Sequence, residues 1–149
     1  MNLLNSLFSS RTVVLWNDSA DVDEPLSSLV SAICSKGYQL QIANSEYQAI
    51  KSVIDQQADL LIIYLRASRS RGYGLCEILR SQQVNKYLPI VFVGYRDNHS
   101  ERIKVLRCGG NEYLKLPITG EETWLRLENL LSLAKRVRHL EVERSRLAH

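Results

Sequence analysis

Residues Asp59 to Arg66 read DLLIIYLR. Between the two charged ends lies a run of hydrocarbon broken by one phenol, Tyr64. An apolar run this short, with no polar face, predicts a strand buried on both sides. Any chemistry such a strand offers is confined to its ends. The identity of Tyr64, where the run stops, therefore carries more functional information than the residues before it.

The chain outward from this run alternates. TVVLW (residues 12–16) is another short, β-branched, buried strand. Pro25 suits a first helical turn, with Asp23 and Glu24 beside the positive helix end. Leu26, Leu29, Val30 and Ile33 recur at helical spacing until Gly37 stops the helix. YQLQIA (38–43) alternates as a strand with one wetter face, and Ser45 is placed to cap a helix carrying Ala49, Ile50, Val53 and Ile54 on one side. After DLLIIYL, a basic loop RASRSRGYG (66–74) leads to a short helix, LCEILRSQQ (75–83), with GYG read as a turn. PIVFVGY (89–95) is a fourth strand, SERIKVLRCGG (100–110) a helix with a glycine stop, and NEYLKLP (111–117) a fifth strand. Residues 119–149 form one long helix with no breaker after Gly120.

Five strands alternating with helices predict an α/β domain with a five-stranded, doubly wound, mostly parallel sheet. The expected divisions are a lead-in over residues 1–11, the domain over 12–131 and a helical extension over 132–149. In such sheets the working site lies beyond the carboxyl ends of the strands. That singles out Asn17, Asp18, Tyr64, Gly94, Tyr95, Lys115 and Leu116.

Composition bounds the function classes. A chain of 149 residues is one domain and long enough to need no staples. A net charge of +3 is too small to argue for nucleic acid binding by this domain. Cys34, Cys76 and Cys108 are far apart in sequence with no CxxC pair, which fits reduced thiols in a cytoplasmic protein rather than a disulfide framework or zinc site. The start, MNLLNSLFSSR, lacks a basic segment and is too short to span a membrane; it reads as a frayed lead-in or a short docking helix. His99, His139 and His149 have no partner at ligand or triad spacing. No enzyme activity, cofactor, metal or membrane association is expected.

From about Thr12 to Leu131 the chain resembles the receiver domain of two-component response regulators, which has a flavodoxin-like fold. VVLWND is similar to the first strand with its terminal acidic pair, and ADLLIIYLR to the third strand that ends in the phosphate-accepting aspartate. LPIVFVG is similar to the fourth strand, and LRCGGNEYLKLPI to the segment in which a lysine precedes a proline, often through a cis bond. The resemblance implies phosphoryl transfer to a carboxylate, a magnesium ion held by carboxylates, a hydroxyl on the fourth strand and a lysine on the fifth. This chain departs from that pattern at four of five positions. Tyr64 stands at the nucleophile position, Asn17 at one member of the acidic pair beside Asp18, Gly94 at the hydroxyl position and Leu116 at the lysine position. A phenol with a pKa of about 10 is neutral at pH 7 and forms no acyl phosphate. Lys115 is one position early, which on a strand is the opposite face, and Asp59 lies roughly 16 Å from Tyr64 at the other end of the strand. The expectation is a degenerate, phosphorylation-independent receiver.

Two readings of Tyr64 stay open: a ring that fills space, or a plug that holds the fold in one state. Tyr113 matches the family's switch aromatic, but opposite Gly94 a static packing role is expected. Arg66, Arg69 and Arg71 are either a solvated basic loop or, in the alternative function, an anion site for a phosphorylated metabolite or nucleotide. The last helix carries a second signal. Leu130, Leu133, Val137, Leu140, Arg144 and Leu147 fall at spacings of three and four, an a/d pattern, with Arg136 and Glu141 placed to pair across a parallel dimer. The expectation is a homodimer through this helix, assisted by the face of the fourth helix, fifth strand and fifth helix, with Ile103 or Trp124 exposed there. The helix would lead into a covalently linked output domain.

Overall fold

The computed structural model describes residues 11–17, 23–66, 71–95, 99–117 and 121–147. Strands β1 (Thr12–Asn17), β2 (Gln39–Ala43), β3 (Leu60–Leu65), β4 (Ile90–Gly94) and β5 (Glu112–Lys115) form one parallel sheet in the order β2-β1-β3-β4-β5. Helices α1 (Glu24–Ser35), α2 (Glu46–Asp55), α3 (Gly72–Ser81), α4 (His99–Arg107) and α5 (Glu121–Leu147) connect and follow the strands. This is the doubly wound architecture expected from the alternation.

Every residue of β3 is buried. Because successive side chains on a strand point to opposite faces, β3 feeds two cores. Leu60, Ile62 and Tyr64 join the core under α1 and α5. Leu61, Ile63 and Leu65 join the core under α2, α3 and α4. β2, at the sheet edge, is mostly exposed. Local signals set the ends of α1 and α2. The Asp23 carboxylate accepts from the Leu26 N–H at 2.9 Å, Pro25 sits in the first turn, and Gly37 takes a φ of +88° after the last turn. The Ser45 hydroxyl accepts from the Gln48 N–H at 3.1 Å.

α3 begins at Gly72, three residues before the expected start at Leu75, so GYG is a helical turn rather than a loop. The reason is tertiary. The Tyr73 ring stacks on Phe92 with centroids 5.5 Å apart, and its hydroxyl donates to the buried Glu101 carboxylate on α4. That anchoring offsets the low helix propensity of two glycines.

The amino edge of the sheet is tied together by polar contacts. Asn111 Oδ1 accepts from the Ile90 N–H at 2.8 Å and from Arg80 at 2.7 Å, and Arg80 also donates to the carbonyls of Asn85, Leu88 and Gly109. α5 runs past the same edge. Its buried stripe is Leu127, Leu131 and Ala134. Glu128 accepts from Arg11 at 3.0 Å and from the Tyr38 hydroxyl. Asp59 accepts from the Thr12 N–H at 2.9 Å and from Arg138 at 3.1 Å, and Tyr87 donates to Glu141 at 3.2 Å. Contacts with the domain body thus continue well past residue 131. Trp124 is not exposed as expected: it packs half-buried on the core under α1, with the Lys36 ammonium 5.3 Å above its ring. Ile103 is likewise half-buried.

Candidate functional site

Parallel register brings the singled-out positions to one edge. Asn17 pairs with Tyr64 across β1 and β3, Gly94 lies beside Leu65 and Lys115, and the Leu116 N–H donates to the Gly94 carbonyl at 2.7 Å. Asn17, Tyr64, Gly94 and Leu116 therefore sit together at the carboxyl ends of four strands. Asp18 lies outside the described residues. Leu116 is buried in the α1/α5 core and precedes Pro117 through a cis bond, whereas Lys115 is exposed on the other side.

Tyr64 is only 1% exposed, and its hydroxyl donates to the Asp23 carboxylate at 2.7 Å. Arg66 pairs with the same carboxylate at 3.2 Å, and its guanidinium lies 5.6 Å from the centre of the Tyr64 ring. Asp23 is thus a hub: it caps α1 through Leu26, accepts the Tyr64 hydroxyl, and holds Arg66 over the ring. Sequence reasoning placed Asp23 at the helix end but missed its link to Tyr64. The available signal was topological, because helix N-termini in this fold face the carboxyl edge of the sheet, where a capping carboxylate reaches the strand ends.

The electrostatics follow from these contacts. Burial pushes the Asp23 carboxyl up, but the Leu26 N–H, the Tyr64 hydroxyl and the Arg66 charge outweigh it and hold the group below its ordinary value. Burial, and then the bond to the Asp23 carboxylate, push the Tyr64 phenol above its ordinary value, so it stays protonated as a donor.

Tyr113 is buried in the α2/α3/α4 core, with Arg102 6.0 Å from its ring centre. A Cβ on Gly94 would stand 2.9 Å from the Tyr113 hydroxyl and 3.2 Å from the Leu65 carbonyl. The inward position of this hydroxyl therefore depends on glycine at 94. Of the three loop arginines, Arg66 is directed onto Asp23, Arg71 is exposed immediately before α3, and Arg69 lies outside the described residues. A cavity of about 270 Å³ opens beside the edge, with Pro25, Leu29, Tyr95, Leu116 and Pro117 in its wall.

Among the described residues the polar side chains at this edge are an amide and a phenol, with Asp23 already held by Tyr64 and Arg66. Those described groups by themselves do not fit a magnesium ion, which requires several oxygen ligands including carboxylates. Among the described residues no group of three His, Cys, Asp or Glu side chains is placed to hold a metal, and no helix is long and apolar enough to cross a membrane.

Residues 13–128 match the family described as "Response regulator receiver domain". The chain is 32% identical over 108 residues to the response regulator MprA of Mycobacterium leprae, covering 72% of this chain and 46% of that protein. It is 32% identical over 127 residues to MprA of Mycobacterium ulcerans, covering 85% and 52%. It therefore spans about half the length of these relatives. Among solved structures, a putative response regulator from Chloroflexus aurantiacus superposes with a TM-score of 0.72 at 26% identity, over 83% of this chain and 98% of that one. The Vibrio cholerae chemotaxis protein CheY4 shares the fold, with a TM-score of 0.67 at 18% identity over 81% and 98%.

Two outcomes follow from this geometry. Gly94→Ala is expected to destabilise the domain by about 1–3 kcal/mol through overpacking. Removing the opposing hydroxyl with Tyr113→Phe should recover much of that loss, and a urea-unfolding double-mutant cycle measures the coupling. The second outcome concerns acid. Asp23 titrates below its unfolded value, so its contribution is present above the ordinary carboxylate range near pH 4 and is lost as pH falls through and below it. In Asp23→Asn, unfolding free energy should fall less steeply between about pH 5 and pH 3 than in the unmutated protein.

Proposed function

The chain belongs to the response regulator receiver domain family, and from that premise we propose a receiver-type signalling module that works without aspartyl phosphorylation. The observation that carries this reading is the Tyr64–Asp23–Arg66 contact at the end of β3. A protonated, buried phenol supplies neither the carboxylate nucleophile nor a metal ligand of the required charge. The nearest described carboxylate, Asp23, is already engaged by the phenol, a backbone amide and a guanidinium. Leu116 supplies no cation, and Gly94 no hydroxyl. In this reading the module is non-enzymatic and cytoplasmic, and conveys its input through conformation and assembly. The alternative, a phosphate-ligand site in the arginine loop, is weakened because Arg66 faces a protein carboxylate.

The test uses the intact chain with acetyl phosphate and magnesium. No mass gain is expected. A stoichiometric, hydroxylamine-labile phosphate would overturn the reading.

The output route is α5. Leu133, Leu140 and Leu147 are 57%, 66% and 86% exposed and spaced seven residues apart, as on a coiled-coil seam. Leu130 and Val137 are half-buried beside a cavity of about 160 Å³ that Tyr87, Leu88 and Pro89 also line, so the body takes part of the seam. Glu141 likewise takes the Tyr87 hydroxyl, leaving its second oxygen for Arg136 of a second copy. Two copies pair in parallel through the exposed stripe, and an attached output domain receives the far ends. Leu133→Glu with Leu140→Glu is expected to give a folded monomer in light scattering at tens of micromolar. A monomer mass for the unmutated chain would refute the pairing, and an undisturbed dimer in the double variant would remove it from this helix.

A further inference from the structure

The amino edge of the sheet carries a cavity to which the receiver reading gives no role. Its volume is about 500 Å³, and it opens between the end of α2, the short turn after α3 and the second half of α5. Ala58 and Leu88, which closely precede β3 and β4, line it. The cavity therefore lies at the opposite edge of the sheet from the Tyr64 crevice. Its size falls within the range of small-molecule sites, roughly 300–1,000 Å³.

The wall is apolar with one charge. Ile54 on α2 and Val84 in the Gln83–Asn85 turn are 45% and 77% exposed, and both line the cavity. Large apolar side chains left in water around a concave surface gain free energy when a ligand covers them. Arg138 is the single charged side chain in the wall. One of its nitrogens meets Asp59 at 3.1 Å. A guanidinium has five N–H groups, so Nε and the other terminal nitrogen keep donors for a second acceptor. Gln57 adds an amide. It takes a φ of +48°, in the left-handed region where a helix stop is ordinarily glycine. α2 thus ends on a residue that keeps a polar side chain at the cavity wall, at a conformational cost. The Tyr87 hydroxyl, also in the wall, is already given to Glu141.

We propose that this cavity binds a small carboxylic acid with an apolar body, its carboxylate on Arg138 and its hydrocarbon against Ile54, Val84 and Leu88. One guanidinium matches one negative charge, and a planar carboxylate accepts two parallel N–H bonds from it. A dianionic phosphate would bring a second charge that no side chain of the wall neutralises. The ligand touches α2, the turn after α3 and α5 together. It therefore fastens α5 to the body where Arg138 and Glu141 already hold it. This effect on α5 rests on the output route proposed above; the binding site does not.

Octanoate is titrated into the whole chain with carbon-13 methyl labels, and NMR follows Ile54, Val84 and Leu88. Their signals should shift and saturate below about 10 mM ligand, while Leu29 and Leu116 beside the opposite edge stay in place. Octanol has the same length and no charge, and should bind at least about tenfold more weakly. Arg138→Gln should weaken octanoate by a similar factor. So should Val84→Asp, which sets a like charge on the exposed rim. Absence of saturable shifts, equal binding of octanol, or tighter binding of octyl phosphate would overturn the proposal. Unchanged octanoate affinity in Val84→Asp would overturn it too. Val84 is an exposed side chain outside α5, so that variant decides even if Arg138→Gln disturbs the seat of the helix. The titration reads binding alone, and its outcome is separate from the pairing of two copies.

Discussion

A strand with hydrocarbon on both faces must lie between two helical layers, because either face left open would expose a continuous apolar surface. β3 imposes that requirement at the centre of this domain, with every residue buried. The two cores, the crossover helices that cover them and the convergence of strand ends at one edge follow from it. The same strand delivers the Tyr64 ring to the α1/α5 core and its hydroxyl to Asp23. A covered strand thus ends in a polar contact at the crevice, and core and site are continuous through one side chain.

That continuity bears on how the crevice works. In the receiver family the edge is expected to accept a phosphoryl group and rearrange around it. Here the charges at the end of β3 are balanced internally: one carboxylate takes a phenol, a backbone amide and a guanidinium. On the other sheet face, the space that a hydroxyl-bearing residue would occupy at 94 is taken by the Tyr113 hydroxyl. Both arrangements reduce the room for alternative side-chain positions. In the proposed reading they stand in for interactions that an incoming ligand would otherwise provide.

Much of this was legible in the chain itself. The apolar runs, Pro25, Ser45 and Gly37 act locally, so their strands, caps and stops could be read residue by residue. The edge positions Asn17, Tyr64, Gly94 and Leu116 were also legible, because parallel register follows from the order of elements. Contacts between distant segments were not. The stacking of Tyr73 on Phe92 moved the start of α3 to Gly72, overriding glycine's weak helix propensity. The reach of Asp23 to Tyr64 and the seat of Trp124 under Lys36 depend on helix placement that no local pattern states.

The seating of α5 has a mechanical consequence. The helix starts near the crevice edge, and Glu128, Arg138 and Glu141 fasten it along the opposite edge of the sheet. A helix of 27 residues is about 40 Å long. Fastened along most of that length, it behaves as a stiff arm whose fulcrum is the sheet itself. A tilt of about 5° in the body carries the far end through about 3 Å, enough to shift one row of side chains against another. The anchoring contacts are partly exposed ion pairs and hydrogen bonds, each worth about 1 kcal/mol or less. Salt concentration therefore tunes the stiffness of the arm without touching the core.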